Sequence, residues 1–198
     1  MGFCLFNNIS IMARYAQNAL GLKKVMIFDF DVHHGNGTHD IFYDDPSVLF
    51  VSTHQAGSYP GTGQMHETGS GDGEGYSMNI PLPGDSGDAA MMAAFEEIVK
   101  PAAYRYKPDI ILVSAGYDAH WRDPLAGLQF RTSTYHWLSN SVKDLAADLC
   151  ATPTRTKRQS QANHIRMQAD TPPVMHFGHF LQSLLKTSVS VQTGRCKS

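Results

Sequence analysis

An apolar run that empties into glycines and ionisable residues occurs twice in this chain, and that repeat restricts its fold more than any other feature. Val25-Met26-Ile27-Phe28 leads into Asp29-Phe30-Asp31-Val32-His33-His34-Gly35-Asn36-Gly37, and Asp109-Ile110-Ile111-Leu112-Val113 leads into Ser114-Ala115-Gly116-Tyr117-Asp118. Short continuous apolar runs closed by turn residues read as buried strands. On an extended backbone Asp29, Asp31 and His33 share one face, because side chains alternate with period two. A carboxylate and an imidazole two residues apart at a strand exit can grip one ion. A lone Asp-x-His is as often a pair of solvated loop residues, but two carboxylates and two imidazoles at one strand end argue for a metal site.

A catalytic metal usually takes three protein ligands and keeps a position open for water or substrate. Asp118, past the second apolar run, is the best candidate for the third, since ligands collect outside the carboxyl ends of the strands of an open parallel sheet. Asp31, His33 and Asp118 form an oxygen, nitrogen, oxygen set that suits Zn²⁺ and tolerates Fe²⁺, Co²⁺ or Mn²⁺; ligand identity alone does not choose among them.

The rest of the chain alternates helix and strand. Asn8 is placed to cap a helix to about Leu20, with Ile9, Met12, Ala13 and Ala16 at helical spacing and Gly21 as a stop. Strand 24 to 31 follows, then a short helix from His39 to Tyr43 and a strand from Val48 to Thr53. The Gly-rich run 57 to 75 is a loop long enough to suggest a function. Tyr76 to Leu82 reads as a weaker strand, Asp88 as the cap of a helix from Ala89 to about Tyr106, 109 to 115 as a strand, and Thr132 to Leu149 as the last helix. This alternation predicts an α/β fold, a parallel sheet flanked by helices. Met91, Met92 and Phe95 read as core. His54, His66 and His120 read as loop or core residues rather than ligands.

Five blocks, in order, resemble the zinc-dependent histone deacetylases: Gly2-Phe3-Cys4-Leu5-Phe6-Asn7-Asn8, the Asp-x-Asp-x-His-His-Gly-x-Gly stretch at 29 to 37, Ser58-Tyr59-Pro60-Gly61-Thr62-Gly63, Asn79-Ile80-Pro81-Leu82, and Ser114-Ala115-Gly116-Tyr117-Asp118. The likeness covers about residues 2 to 149 and is nearest to the class II and acetylpolyamine amidohydrolase branch. It implies the arginase/deacetylase α/β fold, here incomplete, and hydrolysis of N-acetyl-lysine in a histone, tubulin or another protein, or of an acetylpolyamine. It also implies Zn²⁺ held by Asp31, His33 and Asp118, with Asp29, His34 and Asn36 supporting the centre; Asp29 and Asn36 each orient a catalytic histidine. Class I enzymes more often carry Asp at the position of Asn36. Gly2, Phe3 and Tyr59 would contact substrate, Phe3 and Tyr59 walling a narrow tunnel, where Tyr59 replaces the commoner Phe. Ser52, near the zinc, and the Phe42 carbonyl, at a peripheral site, fall where the family binds monovalent cations such as K⁺. Cys4, beside the tunnel, reads as a buried structural thiol.

The family also uses a tandem His-His pair ahead of the Gly-Phe-Cys block as general acid and base, and a Tyr in a Gly-Gly-Tyr turn as oxyanion donor. Neither is found here: Met1 abuts Gly2-Phe3, and no Gly-Gly-Tyr follows Cys150. Such groups typically contribute about 10²–10⁴-fold and 10²–10³-fold. The expectation is therefore an inactive or weakly active chain, cut at both ends of the catalytic domain, with a non-catalytic or dominant-negative binding role as the alternative. A two-manganese ureohydrolase shares the fold but requires more Asp ligands than can be placed.

Charge divides the chain. Residues 1–150, read as a partial catalytic domain, carry 9 Lys and Arg against 17 Asp and Glu, net −8, whereas 151–198 carry 7 against 1, net +6. The second segment has no apolar period and reads as a disordered, divergent tail. Its charge suits nucleic acid or an acidic membrane, but a change falling where the family pattern stops fits an alternative transcript better. The domain itself is expected to contact neither nucleic acid nor membrane, and no run of about 18 apolar residues occurs. Cys4, Cys150 and Cys196 are too few and scattered for a disulfide framework. An intracellular place, nucleus or cytoplasm, is expected, or an organelle if a targeting segment lies upstream.

Overall fold

The structure, a computed structural model, describes residues 4–149. Four parallel strands form one sheet in the order β3-β2-β1-β4: β1 is Val25–Asp29, β2 Val48–Gln55, β3 Ser77–Leu82 and β4 Ile110–Ser114. β1 and β2 are buried along almost their whole length because helices cover both faces. Alternation then sorts the side chains. Val25, Ile27, Val48, Phe50, Ile110 and Leu112 pack toward Ala13 and Ala16 of α1 (Asn8–Asn18). Met26, Phe28, Leu49, Val51 and Ile111 pack on the other side against Phe95, Val99, Tyr135 and Leu138.

Most expected elements are present, with boundaries moved for local reasons. The cap of α1 is Asn7, not Asn8: its Oδ1 accepts the Ser10 N–H at 3.0 Å while its Nδ2 donates to Thr38 Oγ1 at 3.0 Å. α2 spans Asn36–Ile41 rather than His39 to Tyr43, because the Gly35 carbonyl accepts the Thr38 and His39 N–H groups and starts the turn earlier. β2 runs on to Gln55, with His54 and Gln55 paired to Pro81 and Leu82.

The helix expected from Ala89 to Tyr106 is three pieces in line: α3 (Asp88–Ala94), a π-helical turn (Phe95–Val99) and α4 (Lys100–Tyr106). Pro101 at the start of α4 has no N–H to give and would crowd the carbonyl four residues back; the wider turn before it accommodates both. Asp88 does not cap its own helix. Its carboxylate accepts from the Arg131 N–H at 2.8 Å and from the Thr134 hydroxyl, so it caps α5 (Thr132–Leu149) from across the fold. Met91 and Phe95 are core, but Met92 on the same helix is partly exposed. Cys4 is exposed rather than buried. No described helix is long and apolar enough to cross a membrane. Gly2, Phe3, Cys150 and the 151–198 segment lie outside the described residues.

Candidate metal centre

β1 and β4 are neighbours whose last residues, Asp29 and Ser114, pair in register, so both loops leave the same edge of the sheet. The extended face expected for Asp29, Asp31 and His33 does not persist, because β1 stops at Asp29. Asp29 Oδ1 accepts the Asp31 N–H at 3.1 Å, and Asp31 Oδ1 accepts the His33 N–H at 2.8 Å. Two successive turns of this side-chain-to-backbone kind curl the chain off the strand. Asp29 is thereby left buried while Asp31 and His33 stay partly open to solvent.

Asp118 is brought onto this curl from β4. Its Oδ1 accepts the Val32 N–H at 3.1 Å, and its Oδ2 lies 3.0 Å from His33 Nδ1, which is also 3.1 Å from Asp31 Oδ1. Ligand atoms of Asp31, His33 and Asp118 all lie within 4.8 Å of one another, the one such trio among the described residues. Gly116 lets β4's loop approach so closely, since any side chain there would overlap the Asp31 carboxylate.

Electrostatics agree with a cation-seeking centre. Burial, then the charge of Asp31, pushes the Asp118 carboxyl up to about 6. The same two causes push Asp29 up to about 7, against the Asp31 N–H and the Ser114 hydroxyl that favour its charge. Asp29 also lies flush under Gly35, where a side chain would overlap its Oδ2. A carboxyl that resists ionisation, as Asp118 does, gains from a divalent ion placed against it.

The other predicted site residues are distributed around this trio. His34 is buried, its Nδ1 2.8 Å from Thr62 Oγ1, its ring packed against His54 and His39 at centroid distances of 4.8 and 5.0 Å. Burial, then the nearby His54 and His39, lowers its pKa to about 4, so it is neutral at neutral pH. Asn36 opens α2, two residues beyond the His34 carbonyl that accepts its N–H. Tyr59 is exposed on the β2–β3 loop with its ring edge-on to His33 at 6.4 Å. Ser52 is fully buried on β2, level with Asp29, and lies 3.0 Å from His54 Nδ1. Phe42 is buried at the end of α2 under the Arg14 guanidinium, and its carbonyl accepts the Asp45 N–H at 3.1 Å.

His54, Thr62 and Glu67 were not singled out as site residues by the sequence, yet they gather around His34 and Gly63, next to the trio in the chain. His54 stands two residues after Ser52 on one strand face, and extending the period-two reading of β2 past Thr53 would have found it.

A parallel sheet flanked by helices is the arginase/deacetylase α/β arrangement, and here an Asp, His, Asp trio that could hold a metal ion gathers at its carboxyl edge. The histone deacetylase domain family matches residues 1–156, and this chain belongs to that family. It is 65% identical over 150 residues to histone deacetylase 10, chloroplastic, of Oryza sativa subsp. japonica, covering 76% of this chain and 34% of that protein. Among solved structures, the HDA15 HD domain matches with a TM-score of 0.71 and 46% identity, over 73% of this chain and 42% of that one. An acetylpolyamine aminohydrolase from Burkholderia pseudomallei matches with a TM-score of 0.69 and 33% identity, over 73% and 42%. The chain thus spans about a third of the rice relative and about two fifths of the solved chains.

Proposed function

We propose that this chain carries the metal-holding part of a zinc-dependent deacetylase whose substrate is an N-acetylated lysine in a protein or peptide. The convergence of Asp31, His33 and Asp118 on one point beyond two strand ends carries this reading. The donor set fits Zn²⁺: two carboxylate oxygens and one imidazole nitrogen, partly open to solvent, with a carboxyl at Asp118 that resists ionisation when no cation is near. When bound there, Zn²⁺ would polarise an amide carbonyl and acidify water at neutral pH. Asp29 braces the Asp31 backbone through its 3.1 Å hydrogen bond, and Tyr59 offers a wall to an acyl-lysine chain beside His33. Ser52, with a hydroxyl that keeps acceptor capacity beyond its His54 contact, and the Phe42 carbonyl are the K⁺ candidates.

Within the 198 residues the sole His-His pair is His33-His34. His33 serves as ligand, and His34 is buried against Thr62 and two further imidazoles. Neither is free to act as general base, so the chain by itself binds metal and turns over substrate at near-background rates. An acetylated polyamine is the second substrate class, favoured by the likeness to the Burkholderia aminohydrolase. The rice relative's chloroplast designation favours an organelle over nucleus or cytoplasm.

Native mass spectrometry of the chain with added Zn²⁺ tests the assignment. One ion per chain is expected, lost in Asp118→Ala. Full occupancy in Asp31→Ala plus Asp118→Ala would overturn it. An acetyl-lysine peptide assay is expected to read near background, and robust Zn²⁺-dependent release of acetate would show that another residue supplies the base.

A further inference from the structure

The β2–β3 loop carries Tyr59 to His33, yet Tyr59 is exposed and does not by itself fix that approach. The fixing contacts lie a few residues further along. His54, buried at the end of β2, reaches the Gly63 carbonyl through Nε2 at 2.9 Å and Ser52 Oγ through Nδ1 at 3.0 Å. A carbonyl only accepts, so the His54 Nε2–H donates to it, and Nδ1 of the neutral ring accepts a hydrogen bond from the Ser52 O–H. Thr62 Oγ1 lies 2.8 Å from Nδ1 of His34, the residue after the candidate ligand His33.

Gly63 sits flush on both rings, since a Cβ there would stand 2.6 Å from His34 Cγ and 2.6 Å from His54 Nε2. Its N–H donates to Glu67 Oε2 at 2.8 Å, and the Glu67 carbonyl accepts Asn79 Nδ2 of β3 at 2.9 Å. The Ser58 carbonyl accepts the Gly61 N–H at 2.8 Å, closing the turn that holds Tyr59. A continuous series of contacts, buried at Ser52, His54 and Gly63 and opening to solvent at Thr62 and Gly61, therefore runs from the sheet to the Tyr59 turn.

We propose that His54 and Thr62 are positioning residues that latch the β2–β3 loop onto the His33-His34 segment and so set the gap between Tyr59 and His33 through which a linear acyl chain reaches the metal. This deepens the proposed function and rests on it. Neither residue touches the reacting atoms. Their effect is on access, so it separates a ligand that must pass Tyr59 from one that need only reach the metal.

The test uses the Zn²⁺-loaded full chain and two probes, acetohydroxamate, which needs no channel, and a long linear alkyl hydroxamate, which does. Thr62→Val keeps the shape and loses the hydroxyl; His54→Asn loses the bridge; Thr62→Ser retains the hydroxyl; Met65→Ala, an exposed residue of the same loop, is the control. Thr62→Val and His54→Asn are expected to keep Zn²⁺ occupancy and acetohydroxamate affinity while weakening the long probe about tenfold, the scale of one lost hydrogen bond. Thr62→Ser and Met65→Ala are expected to match the unaltered chain. Equal weakening of both probes, or no weakening of the long one, would overturn the positioning role and leave the proposed function standing. Absence of Zn²⁺-dependent binding of either probe by the unaltered chain would overturn the proposed function and this inference together.

Discussion

Gly61 and Gly63 form a matched pair that isolates the contact between the β2–β3 loop and the two buried imidazoles. Their backbones are nearly identical, at φ +82° and +85°, and a side chain at either meets the same left-handed strain. That strain costs an Ala about 1–2 kcal/mol. Nothing lies within 4 Å of a Cβ at Gly61, whereas one at Gly63 meets ring atoms of His34 and His54 at 2.6 Å. Neither ring yields cheaply: His34 is held by Thr62, and His54 by Ser52 and the Gly63 carbonyl itself. Forcing a methyl into packed surroundings adds about 1–3 kcal/mol. Gly61→Ala should therefore lose about 1–2 kcal/mol and Gly63→Ala about 2–5. In urea, where the slope is about 1–3 kcal/mol per M, the Gly63→Ala midpoint should fall about 1 M below that of Gly61→Ala at an unchanged slope. Equal midpoints in the two variants would show that the loop does not press on the imidazoles and would refute the packing argument.

Three further outcomes follow from the same contacts. Phe95, fully buried against Phe28 and Trp137, should cost about 3–5 kcal/mol on replacement by Ala, read by calorimetry or urea, and a loss below about 1 would contradict its central place in the core. Asp88→Ala removes the cap that α5 receives from α3 and should cost about 1 kcal/mol, with hydrogen exchange faster at residues 131 to 134; unchanged exchange there would refute it. Acid should act on the histidines with a defined sign. His34 is held at about 4 against an ordinary 6.5, so the unfolded chain binds its proton first, and that stability is present above 6.5 and lost as pH falls toward 4. The His34 ring followed by NMR in the folded chain should titrate well below 6.5, and a midpoint at 6.5 would place His34 in water instead.

The convergence of residues 31, 33 and 118 was legible because carboxylates and an imidazole stand at the exits of two apolar runs, at turns marked by glycine. The sheet was legible for a similar reason, since strands buried on both faces have to be apolar throughout. What escaped the sequence depends on partners far away in the chain. Asp88 looks like a cap for its own helix until α5 folds beside it, and Pro101 gives no sign that the turn before it widens. The imidazole cluster escaped for the same cause: His34, His39 and His54 come from a loop, a helix and a strand, and only the pairing of β1 with β2 sets them within 5.0 Å of one another in two of the three combinations. A lone histidine in sequence carries no mark of this.

Burial makes the Asp29 and Asp118 carboxyls and the His34 ring pull stability in opposite directions with pH, and a Zn²⁺ bound as proposed would act on the carboxylate side. Asp29 and Asp118 are raised to about 7 and about 6, so without a cation they favour the folded chain below the ordinary carboxylate range of 3.8, and this contribution is lost as pH rises through those values. His34 contributes in the other sense, favouring the fold as pH rises. A divalent ion held as proposed by Asp31, His33 and Asp118 would offset the penalty on Asp118 at neutral pH, because it meets a charge that otherwise resists forming. Zn²⁺ should therefore raise the urea midpoint most near pH 7 and hardly at all near pH 4, where the Asp118 carboxyl is protonated and no longer holds the ion. Acidic loops that merely face solvent would show no such crossover. A Zn²⁺ effect equal at pH 4 and pH 7, or one that survives in Asp118→Ala, would show that the ion acts elsewhere on the chain.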